Sequence, residues 1–200
     1  SSGGTVGLGT GALAADDGSA NKNTALGFEA LNDATTGFWN TALGHQAGDK
    51  ITTGAASVAL GQGSMGAVTT TNSNTAIGSK AMEKGTGSSN TFVGSSSGKG
   101  GVGDGGSNSA LGADSMEKIT TGSQNVAVGS GAGLNITGGD SNTMLGSAAG
   151  DAVTTGINNT VIGQNAAASA VDVSNEITLG DTSITKFRIP GINWSIKDTT

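Results

Sequence analysis

An aliphatic side chain followed at once by glycine recurs along the whole chain. The aliphatic residues are Leu8, Leu26, Leu43, Leu60, Ile77, Val93, Leu111, Val128, Leu145, Ile162 and Leu179, although Leu, Ile and Val together make up only 32 of 200 residues. The glycines that follow are spaced by 18, 17, 17, 17, 16, 18, 17, 17, 17 and 17 residues. Three residues beyond each glycine stands Ala or Ser, from Ala12 and Ala30 through to Ser183. A small side chain is required there. Asn opens the pentapeptide in eight copies: Asn23, Asn40, Asn74, Asn90, Asn108, Asn125, Asn142 and Asn159.

A unit of about 17 residues is too short for a helical pair or a propeller blade, but it suits one turn of a slender β-solenoid. The pattern therefore predicts an all-β fold, a parallel β-roll of about eleven rungs spanning residues 1–184. In N-T-A-L-G, alternation along a strand places Thr and Leu on one face and Ala on the other. A second strand is expected where "ITT" or "VTT" recurs, at 51–53, 68–70, 119–121 and 153–155. The glycines after such segments, Gly37, Gly54, Gly122 and Gly156, are expected to make tight or positive-φ corners. Stacked at rung spacing, the asparagines form a hydrogen-bonded ladder. Eleven rungs at about 4.8 Å make a rod roughly 50 Å long.

Charge refines this picture. Of the 24 charged side chains only Glu176 falls in the five residues ending at a repeat glycine. That strand avoids water on both faces. The expectation is that the coil buries one face, while the other, lined by Ala25, Ala42, Ala59, Ala76, Ala110 and Ala127, packs against further copies of the chain. Few aliphatic groups per rung make association a condition of stability.

Composition removes several function classes. With 37 glycines, 3% aromatic and 34% hydrophobic residues, little material exists for a conventional large core. The eight lysines are scattered and Arg188 stands alone within a net charge of −6, so nucleic acid is not an expected partner. No apolar run has membrane-spanning length, and membrane insertion is not expected. The absence of cysteine fits an exposed extracellular protein. The chain opens inside a degenerate repeat and reads as a fragment of something longer.

Candidate chemistry is sparse. "KGGVGDGG", 99–106, has Asp104 where a phosphate loop needs lysine. Asp49 and Asp151 share a register that elsewhere holds Gly66, Lys99 and Leu134, so no acidic column exists for calcium. Spacing selects neither Asp16 and Asp17 nor Glu29 and Asp33 as a glycosidase pair. A threonine column from Thr35 to Thr154 raises ice binding, but β-branched strand packing explains it better. No enzyme activity, cofactor or metal is expected.

One cluster stands apart. Phe28 and His45, the only histidine, each follow a repeat glycine and should stack on neighbouring rungs, with Phe38 and Trp39 in the turn between them. The register of His45 elsewhere holds Gln62, Ser79, Ser95, Ala113 and Ser130, so imidazole chemistry is not imposed. Turn positions on rigid scaffolds commonly carry binding. The competing reading is that these rings merely cover the rod. Residues 185–200 leave the repeat and carry Phe187, Pro190 and Trp194. They read as a cap on the solenoid's open end, a transition to a tip, or an aromatic platform on Trp194.

The units "NTALGFEAL", "NTALGHQAG", "NTAIGSKAM" and "NVAVGSGAG", joined by "TTG", resemble repeats of phage tail fibres and phage-derived bacterial fibre proteins. They are also similar to the N-S-x-A-I-G-x-x-[AS] repeats in the heads of trimeric autotransporter adhesins. The likeness covers residues 5 to 184. It implies a homotrimeric left-handed β-roll and attachment to a host or prey cell surface, through a glycan or outer-membrane receptor, on a virion tail or the bacterial exterior. The adhesin heads commonly use a shorter repeat, which favours the fibre comparison. Phe28, Phe38, Trp39, His45 and Trp194 are the receptor-contact candidates. A purely structural stalk and a polysaccharide-degrading tailspike are the alternatives.

Overall fold

The computed structural model describes residues 4–18, 21–100, 103 and 105–188. Eleven three-residue strands follow one another: β1 (Val6–Leu8), β2 (Thr24–Leu26), β3 (Thr41–Leu43), β4 (Val58–Leu60), β5 (Thr75–Ile77), β6 (Thr91–Val93), β7 (Ser109–Leu111), β8 (Val126–Val128), β9 (Thr143–Leu145), β10 (Thr160–Ile162) and β11 (Ile177–Leu179). They form one parallel sheet in chain order, a β-solenoid of about ten turns. Register is one to one throughout: Leu26 lies opposite Leu43, Leu43 opposite Leu60, and Leu60 opposite Ile77. The 16- and 18-residue intervals are absorbed outside the strands, since β5, β6 and β7 still pair Ile77 with Val93 and Val93 with Leu111.

The repeat glycine closes each strand. Gly27 has φ near +140°, and a Cβ there would sit 2.3 Å from the Gly44 carbonyl oxygen of the next rung. Both the conformation and the close backbone stacking exclude a side chain. The expected small residue three positions on is fully buried in the inner rungs, as at Ala30, Ala47, Ser64 and Ala81, while Ala12 is half-buried and Ser183 exposed in the end rungs.

The asparagine ladder forms, and it is buried. Asn23 Oδ1 accepts the Asn40 backbone N–H at 2.8 Å, and Asn40 Oδ1 accepts that of Ser57 at 3.1 Å. Each amide also donates across the coil: Asn23 to the Gly37 carbonyl and Asn40 to the Gly54 carbonyl, both at 2.7 Å. Ser57, which replaces Asn in β4's rung, keeps the column continuous because its Oγ accepts the Asn74 N–H at 3.2 Å. At the far end Glu176 takes the position, its N–H donating to Asn159 Oδ1 at 3.0 Å.

Three expectations are corrected. The "ITT" and "VTT" segments are not strands. Their N–H groups converge instead of alternating: Thr120, Thr121 and Gly122 all donate to the Thr137 carbonyl. Only a tight curl brings three consecutive N–H groups onto one oxygen, and a strand cannot. The threonine column belongs to this curl, with Thr35 Oγ1 donating to the Thr52 carbonyl and Thr120 Oγ1 to that of Thr137, so hydroxyl bonding rather than strand packing accounts for it. The glycines at the end of the curl make the tight corner of the two that were expected, without positive φ. Gly37 is required because a Cβ would lie 2.6 Å from the Gly54 carbonyl oxygen.

The third correction concerns the faces of the strand. Ala25, Ala42, Ala59, Ala76, Ala110 and Ala127 point inward, each at most 3% exposed. They do not form an outer face. The interior also holds a position four residues after the repeat glycine, filled by Leu31, Met65, Met82 and Met116, and an aliphatic at the start of the curl, such as Ile51, Val68, Ile136 and Val153. The whole core is a single narrow file of these groups.

Candidate attachment surface

With alanine inside, alternation turns both flanking columns outward. The aliphatic residues before the repeat glycines run up the outer surface of the sheet. Leu8, Leu26, Leu43, Leu111, Leu145, Ile162 and Leu179 are exposed, from 37% at Ile162 to 67% at Leu8. Leu60, Ile77, Val93 and Val128 are half-buried. Beside them stand Val6, Thr24, Thr41, Val58, Thr75, Thr91, Ser109, Val126, Thr143, Thr160 and Ile177. Neither column contains a charged residue. Ser109, shorter than its neighbours, leaves a shallow apolar groove between Thr91, Val93, Leu111, Val126 and Val128.

Sequence reasoning missed this stripe because leucine seemed the natural interior residue. One signal could have found it. Asn at the fourth position before glycine and Ala at the second share a strand face, and the ladder's inward amides carry the alanines with them.

The aromatic residues sit at the two margins of the stripe. Phe28 and His45 follow β2 and β3, and their rings stack at 5.3 Å with planes 15° apart. The predicted stacking on neighbouring rungs is therefore present. Phe38 and Trp39 precede β3 and meet edge to face at 5.0 Å and 81°. Trp39 holds a left-handed backbone, φ +60°, and its N–H donates to the Asn21 carbonyl of the rung before. That conformation recurs at the same register in Lys22, Ala56, Ser73 and Ser89. The scaffold thus holds each of these side chains outward. Trp39 is 59% exposed, and Phe28, Phe38 and His45 are exposed as well. Phe187 is exposed at the C-terminal end of the described residues, and Trp194 and Pro190 lie outside them.

Several polar and charged side chains pair with their neighbours. Lys50 Nζ lies 3.1 Å from Asp33 Oδ2 and 3.6 Å from Asp49 Oδ2. Gln46 Nε2 donates to Glu29 Oε2 at 2.8 Å. Asp49 is buried, and loss of hydration raises its pKa despite the partial offset from Lys50. Glu176 accepts from the Ser169 hydroxyl, the Ser169 backbone N–H and Thr178 Oγ1, which lowers its pKa. Among the described residues no three His, Asp or Glu side chains are grouped to hold a metal ion. No helix there is long and apolar enough to cross a membrane.

Comparison of the chain with protein-family models, with curated proteins and with solved structures gives no match.

Proposed function

We propose that this chain is a non-enzymatic segment of a homotrimeric fibre, carried on a virion tail or a bacterial surface, which attaches to a glycan or outer-membrane receptor of a host or prey cell. The observation that carries this reading is the uncharged aliphatic stripe that runs the length of the sheet on its outer face. A contiguous apolar face of that length on a rod marks an interaction surface rather than a solvated one. The aromatic groups at its margins, held by a rigid scaffold, supply the attachment chemistry, since exposed rings stack on the apolar faces of sugars or on receptor side chains. The non-enzymatic part rests on the polar groups themselves. The register of His45 is filled elsewhere by Gln62, Ser79, Ser95, Ala113 and Ser130, so no rung calls for an imidazole.

Sedimentation equilibrium at low concentration tests assembly; a folded monomer would overturn it. Binding of Phe38→Ala and Trp39→Ala chains to whole cells and to a glycan array tests attachment. Full binding by both variants would leave a structural stalk. Shortening of a surface polysaccharide by the purified protein would mean a tailspike.

A further inference from the structure

Self-association, the reading on which this inference rests, dictates what happens at the margins of the stripe. The two aromatic pairs occur at the same height on the rod, because Phe28 stacks on His45 across β2 and β3 while Trp39 enters β3 and bonds back to the rung of β2. They lie on opposite sides of the same strands. Phe38 and Trp39 stand on the side where the chain enters β3, and Phe28 and His45 on the side where it leaves β2 and β3.

The occupant of the stripe to which the geometry commits is a second copy of this chain. Eleven rungs of three-residue strands give a face of about 50 by 10 Å, or roughly 500 Å² in projection. With half-exposed side chains standing in relief, that face approaches the ~800 Å² per partner of a standard stable interface. Its one-to-one register makes the spacing of any identical rod match it rung for rung. Copies carrying a net charge of −6 can meet along this lane, since neither outward column holds a charge.

We infer that the aromatic surface is composite: Phe38 and Trp39 of one copy and Phe28 and His45 of its neighbour form one continuous patch across each seam of a parallel assembly. Rotation about an axis along the rod superposes identical rungs and sets the entering margin of one copy beside the leaving margin of the next. Four rings then line one groove per seam, where an isolated chain presents two separate pairs. Such a groove suits a ligand with flat apolar faces, such as the pyranose rings of a glycan. An antiparallel pair would do something different. It would set the entering margin of β3 against the entering margin of β9, bringing Trp39 to Ser141.

The chain contains no cysteine, so introduced thiols report directly on this geometry. Trp39→Cys and His45→Cys chains are made separately, refolded together and oxidised. The expected product is a disulfide-linked pair of chains that needs both variants, with none from Trp39→Cys mixed with Ser141→Cys. Lys22→Cys with Phe28→Cys, one rung earlier, repeats the test should the Trp39 variant fail to fold. Sedimentation of the same mixtures separates the two levels of the argument. Oligomers without either expected cross-link, or with the Trp39–Ser141 cross-link, overturn the composite patch and leave assembly standing. Monomers overturn both.

Discussion

The ring of Phe92 occupies the space that a side chain at residue 98 would fill: a Cβ built on Gly98 would lie 2.3 Å from Phe92 Cδ1. The pairing recurs in several rungs of this core. In four rungs a small inward strand residue is matched by a large one six positions on, Ala25 with Leu31, Ala59 with Met65, Ala76 with Met82 and Ala110 with Met116, whereas in the rungs of Ala42 with Gly48 and Ala127 with Gly133 the curl residues Ile51 and Ile136 approach the glycine instead. Where it is Phe or Met, the partner is glycine, as in Met144 with Gly150, whose Cβ would meet Met144 Sδ at 2.2 Å. In these rungs one position gives up the volume that the other takes, as close packing demands.

Phe92→Ala is expected to destabilise the rod by about 3–5 kcal/mol through the cavity it leaves. Gly98→Met alone should cost at least about 1–3 kcal/mol through overpacking. The double variant recreates the Ala76 and Met82 arrangement, and its backbone is suitable, since Gly98 has φ +57° and Met82 has φ +51°. Urea unfolding of the four proteins should show the double change costing less than either single one. Additive losses would disprove the pairing of Phe92 with Gly98.

Removing one ladder amide should be far more damaging than removing an exposed one. Asn125 donates to the Gly139 carbonyl at 2.7 Å and to Asn108 Oδ1 at 3.1 Å, and its Oδ1 accepts the Asn142 N–H at 2.9 Å. Asn125→Ala leaves buried partners unsatisfied and is expected to cost about 2–4 kcal/mol. Gln62→Ala, on the exposed surface, should stay within about 0.5 kcal/mol. Thermal unfolding of both variants compares the two.

Leu111 is 53% exposed and touches the narrow interior little. Leu111→Asp should therefore leave the circular dichroism spectrum of the rod unchanged while placing a charge in the stripe. The expected outcome is a shift of the association midpoint by 100-fold or more, on the order of 3 kcal/mol, read by sedimentation. An unchanged midpoint would remove the stripe from the interface.

Asp49 predicts a direction with pH. Burial raises its folded pKa above the unfolded value, so its contribution to stability is fully present below the unfolded pKa and is lost as pH rises through the folded one. Nearby Asp33 and Glu29 add to that direction, and Lys50 opposes it. Asp49→Asn, which cannot ionise, should thus gain on the native chain between about pH 4 and neutrality. Urea midpoints of both proteins at pH 3 and pH 7 measure the difference. A native chain that gains on the variant as pH rises would reverse the assignment.

Much of this architecture was legible in one dimension. Aliphatic–glycine pairs at about 17 residues are enough for rungs and register, because a stacked repeat must bring equivalent positions together. The asparagine column implied a ladder, and the residues after successive repeat glycines implied that Phe28 and His45 would stack. The curl at "ITT" was not legible. Threonine-rich segments have strand propensity, and only the carbonyl of Thr137, shared by three N–H groups, overrides it.

The sequence alone determined the rung, its period, the small residue after each glycine and the height at which the aromatics gather, all consequences of repetition in register. Which face of the strand looks inward was decided by tertiary structure. Burial of apolar area favours leucine inside by transfer energy alone. The coil is too narrow for leucine in every rung, however, because Leu31, Met65, Met82 and Met116, or the curl residues Ile51, Ile136 and Val153, already fill it. Alanine fits beside them, the asparagine amides reach across to the Gly37 and Gly54 carbonyls on that same face, and the leucines are left on the outer surface.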